Sequence, residues 1–434
     1  MRFIRWLYPG LGVKRWLVLF SLGVFLIAAG LAIAIDAHVL GQLEEAMRQF
    51  SLATTGRFIT RGFRGAILIA VGAVLAFVSV QRIVRSIVLG LLPAGVRGIA
   101  DTIYHRRQLA RGPRVVAIGG GTGLSVLLRG LKEYTSNITA IVTVTDDGGS
   151  SGRLRDEMGV LPPGDIRNCL VALADAEPMM QSLFQYRFKG GQLEGHSFGN
   201  LFIAAMSELT GDFEEAVRAS SKVLAIRGRV LPSTLDDVVL RAEFEDGSAE
   251  RGETRISKSF KRIKRVFLDP REASAVPEAI EAVMSADLIV LGPGSLYTSV
   301  CPNLAVSGLA EAIRHSPAKV VYILNVMSQP GETDGLDAAD HVRAVLGQLG
   351  QGTVDYVLVA GDALPLARLQ AYAEQGAHPV TVAVRRLEEL RVKAMRAQVI
   401  AASGLVRHDP DKLARAVLRL AEVSRPVVRG DHQG

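Results

Sequence analysis

The stretch from Arg114 to Asp175 restricts the possible folds more than any other part of the chain. It opens on the apolar run Val115-Val116-Ala117-Ile118 and passes directly into Gly119-Gly120-Gly121-Thr122-Gly123. A helix-like segment, Leu124 to Tyr134, follows. A second apolar run, Ile138 to Val144, ends in Thr145-Asp146-Asp147-Gly148-Gly149-Ser150-Ser151-Gly152. Strand, glycine loop, helix, strand, acidic loop is the opening of a doubly wound α/β domain, which binds ligands beyond the carboxyl ends of its strands. Backbone N–H groups at a helix N-terminus hold phosphate, and glycine lets the backbone come close because no Cβ intervenes. The spacing is not GxGxxG, because the sixth position from Gly119 is Leu124, and no GxxxxGK[ST] P-loop is present. A tight strand-to-helix turn without a ligand would use the same residues, so the loop by itself does not decide between the two.

The residues before this domain predict a membrane hairpin. Trp16 to Ile35 is twenty residues without a charge, long enough to cross a hydrocarbon core as a helix. Gly65 to Gln81 is a second uncharged run, flanked by Arg64 and Arg82, which can snorkel. A cleaved signal peptide is the rival reading of the first run, but no small-residue cleavage site followed by a secreted-type domain supports it. Basic residues precede the first run (Arg2, Arg5, Lys14, Arg15) and follow the second (Arg82, Arg85, Arg97, Arg106, Arg107, Arg111, Arg114). The intervening loop sets Arg48, Arg57, Arg61 and Arg64 against Asp36, Glu44 and Glu45. The positive-inside rule then places both termini and the main domain in the cytoplasm, with two spans in the inner membrane and a short loop outside. Trp6, Tyr8 and Trp16 suit an interfacial belt.

The expected division is a hairpin at 1–81 (spans 16–35 and 65–81), a basic juxtamembrane linker at 82–113, a nucleotide-binding domain at 114–425 and a tail at 426–434. The linker would lie against anionic headgroups. The excess charge, +7 overall, therefore reads as a membrane-surface feature, and no nucleic-acid partner is expected because no aromatic-interleaved basic motif appears. The two cysteines, Cys169 and Cys301, lie far apart and offer neither a disulfide framework nor a metal spacing, which fits a reducing compartment.

Further along, Pro162-Pro163-Gly164-Asp165-Ile166-Arg167-Asn168 precedes an apolar run, with Asp165 as a plausible N-cap. The alternatives are a plain helix start, or a helix end and an arginine set beside the Gly120 loop. Helical segments are expected at Met179–Phe188, Phe198–Leu209 and Phe213–Leu224. His196 and Asn200, four apart, share a helix face if the turn has begun, although a histidine beside a glycine is as readily a satisfied turn residue. From Arg229 to Asp269 the period becomes two, with an Asp246-Gly247 turn, which predicts a small inserted antiparallel β subdomain. Its return limb, from Glu253 to Leu268, is basic: a solvated face, or a wall for an anionic ligand.

The α/β rhythm then resumes. A helix is expected at Val276–Met284, a buried strand at Ala286–Leu291, the loop Gly292-Pro293-Gly294-Ser295-Leu296-Tyr297-Thr298-Ser299, and a helix at Leu304–Ile313. A strand at Lys319–Leu324 ends in Asn325-Val326-Met327-Ser328-Gln329-Pro330-Gly331-Glu332-Thr333, and Val354–Val359 is a further strand. An amphipathic helix from Asp409 to Val423, capped by Asp409 or Asp411, closes the domain. Three polar loops thus share one edge of a mostly parallel, Rossmann-like sheet, and loop hydroxyls and amides suit phosphate contacts.

VVAIGGGTGLSVLLRGLK, VTVTDDGGSSGRLR, PPGDIRNCL, HSFGNLFIAA, LGPGSLYTSV and NVMSQPGET, in this order, resemble the gluconeogenesis factor family, the YvcK-type branch of the 2-phospho-L-lactate transferase (CofD-like) superfamily. The resemblance covers Arg114 to Val423; the hairpin lies outside it. It implies a cytoplasm-facing protein of cell shape and cell-wall metabolism on gluconeogenic carbon, binding UDP-sugars such as UDP-N-acetylglucosamine. The transferase branch instead moves a phospholactyl group from a nucleotide-activated donor with Mg²⁺. From the residues and this resemblance together, the ligand-binding candidates are Gly120, Gly121, Thr122, Gly123, Asp146, Asp147, Asp165, Arg167, Asn168, His196, Asn200, Pro293, Gly294, Ser295, Tyr297, Thr298, Asn325 and Gln329. Asp146 and Asp147 suit a magnesium ion or a ribose hydroxyl, with Asp146 the metal candidate. No Ser-His-Asp set or His/Cys cluster points to a particular reaction, so a membrane-tethered binding regulator is expected before a transferase, as a homodimer or larger homo-oligomer.

Overall fold

The computed structural model describes residues 14–34, 49, 61–91, 99–175, 178–364, 366–402 and 406–422. Trp6, Tyr8, Arg2, Arg5, Arg97, the acidic residues of the short loop and the tail at 426–434 lie outside these. The chain divides into two compact units, residues 1–105 and 106–434.

In the first unit two helices, Lys14–Ala34 and Arg61–Leu91, are each long and apolar enough to cross a membrane. The second apolar window runs Gly65–Val84, so the helix continues past the expected end at Gln81. The helices touch through glycines spaced by seven. A Cβ on Gly72 would stand 2.6 Å from the Gly23 carbonyl oxygen, and one on Gly65 2.7 Å from that of Gly30. Backbones approach this closely where small residues face each other, as in membrane helix pairs. Large apolar side chains such as Val18, Phe25, Val74 and Phe77 point outward instead. The Arg15 and Arg82 guanidinium groups lie 5.2 and 5.3 Å from the Trp16 ring centroid, an amphipathic cluster at one end of the pair.

The second unit is built on a seven-stranded, fully parallel sheet. Its strands are β1 (Val115–Gly119), β2 (Ile138–Val142), β3 (Arg229–Pro232), β7 (Leu288–Leu291), β8 (Lys319–Ile323), β9 (Tyr356–Ala360) and β10 (Lys393–Ala397). The spatial order is β10-β9-β8-β7-β1-β2-β3. Every residue of β1, β2, β7 and β8 is buried, which is why these strands read as continuous apolar runs: helices cover both faces. A small antiparallel sheet, β5-β4-β6, comprises β4 (Val239–Phe244), β5 (Ala249–Arg251) and β6 (Ile263–Asp269).

Three expectations are revised. Arg229–Pro232 is not part of the antiparallel subdomain; it pairs in parallel with β2 at the edge of the main sheet. Glu253 to Leu268 is not one limb, because Glu253–Lys258 is helical and only Ile263–Asp269 forms a strand. The helix expected over 304–313 is broken: a π-turn at Leu296–Val300 leads into Cys301–Leu304, and a separate helix begins at Leu309 after Gly308 at φ +86°. Leu309 could not follow without a residue that adopts this left-handed backbone. At the carboxyl end Asp409 caps helix Pro410–Glu422, its Oδ1 accepting from the Lys412 N–H at 2.9 Å, while Asp411 bonds Tyr134 and Arg415.

Candidate functional site: a glycine-lined cleft at the sheet switch point

The strand order reverses direction at β1, where the chain leaves toward β2 on one side and returns as β7 on the other. In such sheets the crevice lies beyond the carboxyl ends at this reversal. The loops after β1 and β7 meet there. The helix after β1 starts at Gly121, not Leu124, so the glycine loop is itself the first helical turn. Gly121 sits at φ +65°, and no side chain caps this helix. The N–H groups of Gly121, Thr122 and Gly123 are therefore first-turn donors without intrahelical acceptors, aligned with the positive end of the dipole. A Cβ on Gly123 would stand 2.6 Å from the Pro293 carbonyl oxygen, and one on Gly120 would run into the Asp165 carboxylate. The two glycine loops are pressed together, and only glycine fits the seam. Asn303 fastens it from beneath by donating to the Gly119 carbonyl at 3.1 Å and the Ser299 carbonyl at 2.7 Å.

The acidic loop after β2 forms the next wall. Asp146 Oδ1 accepts from the Gly148 N–H at 2.9 Å, an Asx turn, and its other oxygen faces Gly164. Asp165 is not the N-cap expected for it. Pro163 holds that position, and Asp165 sits in the first turn of helix Gly164–Leu173. Its carboxyl group lies deep among protein atoms at the cleft floor, and burial, then the charge of Asp146, pushes it up to about 7. The Gly121 N–H pulls the other way. Arg167 is buried beside it, donating to Asn200 Oδ1 at 2.9 Å, to Asn168 Oδ1 at 2.7 Å and to Ser197.

His196 and Asn200 do converge, on Ser150. Asn200 Nδ2 donates to Ser150 Oγ at 3.2 Å and lies 3.5 Å from Ser151 Oγ, while His196 Nδ1 is 3.0 Å from Ser150 Oγ. Ser150 Oγ accepts from Asn200, and its hydroxyl donates to His196 Nδ1 or accepts from it according to the imidazole tautomer. Burial, then Arg153, lowers the His196 pKa, which favours the neutral ring. Asp147 turns the other way: its Oδ1 accepts from the Thr254 N–H at 2.9 Å and hydroxyl at 2.7 Å, tying the acidic loop to helix Glu253–Lys258. On the β7 and β8 side, Gln329 donates to Ser295 Oγ at 2.7 Å, and Asn325 lies 3.3 Å from Gln329 Oε1.

Two carboxylates escaped the sequence reading. Glu332 is buried and accepts from the Tyr297 and Thr298 N–H groups at 2.7 and 3.1 Å, holding the loop after β7; burial pushes its pKa up to about 7. Glu332 lies in the quoted NVMSQPGET block, where a glutamate after a glycine gives no sign of burial. Glu253 opens helix Glu253–Lys258; burial, then the charges of Asp146, Asp165, Asp147 and Glu332, pushes it up to about 9. The cleft therefore holds an acidic floor beneath a row of backbone donors. Among the described residues no three His, Cys, Asp or Glu side chains are arranged to hold a metal ion. Asp146 fits a magnesium ion only if a ligand's own oxygens complete the shell, as is usual for Mg²⁺ bound with phosphates.

The model of the family described as 2-phospho-L-lactate transferase CofD matches residues 115–400 of this chain. The chain belongs to the CofD family, in its gluconeogenesis-factor branch. A putative gluconeogenesis factor of a Nostoc species is 49% identical over 422 residues, 96% of this chain and 92% of that protein. The gluconeogenesis factor of Bacillus subtilis is 50% identical over 310 residues, 71% of this chain and 98% of that one. A crystal structure of a Bacillus halodurans protein superposes with a TM-score of 0.69 at 50% identity, covering 71% of this chain and 99% of that one. The Nostoc alignment, at 96% of this chain, extends into the amino-terminal unit, and the Bacillus ones cover 71% of the chain.

Proposed function

We propose that this CofD-family chain is a membrane-anchored, cytoplasm-facing regulator that binds a nucleotide-sugar, UDP-N-acetylglucosamine first among candidates, and acts on cell shape and cell-wall metabolism under gluconeogenic growth. The observation that carries the reading is the seam at the switch point. The first-turn N–H groups of Gly121, Thr122 and Gly123 have no intrahelical acceptor, that of Gly121 being shared with Asp165, and Gly120 and Gly123 admit no side chain at the seam. That arrangement suits a diphosphate, whose charge the helix N-terminus favours. Asp146 and Asp165 beside it suit ribose or sugar hydroxyls, or a magnesium ion shared with the diphosphate. The anchor rests on the two apolar helices, and the orientation on their flanking arginines.

Titration calorimetry of the 106–434 unit with UDP-N-acetylglucosamine, with and without Mg²⁺, followed by chromatography of the recovered nucleotide, tests it. Binding with intact ligand is expected. Asp146→Ala should weaken binding at least tenfold while the melting temperature holds. Conversion of the nucleotide would replace the regulator with a transferase, and an unchanged affinity in Asp146→Ala would remove that residue from the site.

A further inference from the structure

The basic limb of the antiparallel sheet is not used by the switch-point cleft. β6 and helix Ala338–Leu349 enclose a groove of about 660 Å³, floored by the buried Tyr297 and Cys301. The groove is lined by five cations, Arg262, Lys264, Arg265, Arg271 and Arg343, against two carboxylates, Glu245 and Asp340. The carboxylates are largely committed. Asp340 accepts from Arg343 at 2.5 Å and from Arg386, outside the groove, at 2.8 Å. Glu243, also outside, is shared by Lys264 at 3.0 Å and Arg265 at 2.6 Å. Glu245 reaches Arg262 only at 3.8 Å. Arg271 has no carboxylate partner among the described residues; its guanidinium stacks on the Phe267 ring at 4.5 Å. The cations thus outnumber their counterions in a concave space, where field lines are focused and an anion is attracted.

We infer that this groove is a second ligand site, for a small anion carrying two or more phosphate groups. Four of the five cations are arginines, whose forked donors match phosphate oxygens in pairs. The volume lies in the range of small-molecule pockets, and the floor is buried and concave, unlike the flat face that a bilayer would need. Tyr297 links the groove to the cleft: it lines the groove, and its backbone N–H donates to Glu332, which holds the loop after β7. Occupancy of the groove bears on that loop. This coupling rests on the cleft being a ligand site; binding in the groove does not.

The test uses the full chain in detergent micelles and inorganic tripolyphosphate as the probe, with inorganic phosphate for comparison. Tripolyphosphate should bind at least tenfold more tightly than phosphate. The double variant Arg262→Ala/Arg271→Ala should lose at least tenfold in affinity, with its melting temperature retained because both side chains are exposed. Arg262→Lys/Arg271→Lys should recover most of it. Equal affinity in the alanine pair and the parent overturns the site, and so does an absence of binding in the parent. Binding of anionic phosphatidylglycerol vesicles or of polyglutamate that is lost in the double variant, without tripolyphosphate binding, overturns it in favour of a macromolecular partner. UDP-N-acetylglucosamine titrated into the same double variant separates the two readings: retained nucleotide affinity leaves the cleft intact whatever the groove does.

Discussion

Replacing Glu253 by glutamine should stabilise the CofD-family domain, and increasingly so as the pH rises. Glu253 stands at the start of helix Glu253–Lys258, among the charges of Asp146, Asp165, Asp147 and Glu332. Burial and those charges raise it from 4.5 to about 9. A carboxyl group whose folded pKa is raised contributes stability that is fully present below its unfolded value and is lost as pH rises toward the folded one. Below about pH 4.5 both states are protonated and the side chain is neutral in each. Between about 4.5 and 9 the unfolded chain releases a proton that the folded one retains. Each pKa unit is worth about 1.4 kcal/mol, so the loss at pH 8 is on the order of 5 kcal/mol, reduced where neighbouring carboxylates take up protons in its place. Glutamine keeps the shape without the proton. Urea unfolding of the 106–434 unit at pH 5, 6.5 and 8 should show parent and variant close together at pH 5 and separating in the variant's favour by pH 8. A stability difference that does not change with pH would refute the buried acidic cluster as the cause.

The other carboxylate acts through its acceptors. Glu332→Ala should cost about 2–4 kcal/mol in unfolding free energy, because it leaves two buried N–H groups unpaired, whereas Glu332→Gln, which keeps the carbonyl acceptor, should cost under about 1 kcal/mol. Equal losses in the two variants would argue against hydrogen bonding as the reason. At the seam, Gly123→Ala drives a methyl group to 2.6 Å from the Pro293 oxygen, a backbone atom that cannot rotate away. A loss of about 1–3 kcal/mol in chemical unfolding is expected, together with weaker nucleotide binding in calorimetry; parent-like values of both would show that the loops are not held together.

The elements legible in the sequence are those whose signal is local. β1, β2, β7 and β8 are buried on both faces, so each is an unbroken apolar run, and the loops after them stand out by contrast. The two spanning-length helices are legible for the same reason. β3 was less so: its four residues, Arg229–Pro232, lie close in sequence to the alternating β4, and only pairing with β2 ninety residues earlier places it in the main sheet. The break at Ala305–Gly308 carries a local signal, the Ser307-Gly308 dipeptide, which the single helix expected over 304–313 passed over.

Within the cleft, the glycines, the polar loops and the carboxylates Asp146, Asp147 and Asp165 were named from the sequence, and Glu253 and Glu332 were not. Glu253 lies in a basic stretch that reads as a strand, more than one hundred residues from the loop it faces. What brings it there is the Asp147–Thr254 pair, which spans 107 positions and clamps the helix start against the acidic loop. Asp147 was expected to meet a ligand alongside Asp146; in the fold the adjacent carboxylates divide, one tying down the wall and the other left at the crevice. Two neighbouring aspartates read identically from sequence, and only the partner presented by a distant segment separates a fastening from a contact. That division makes Asp146 the better residue to mutate for binding and Asp147 the one whose loss should loosen helix Glu253–Lys258, and with it the buried, protonated carboxyl group of Glu253.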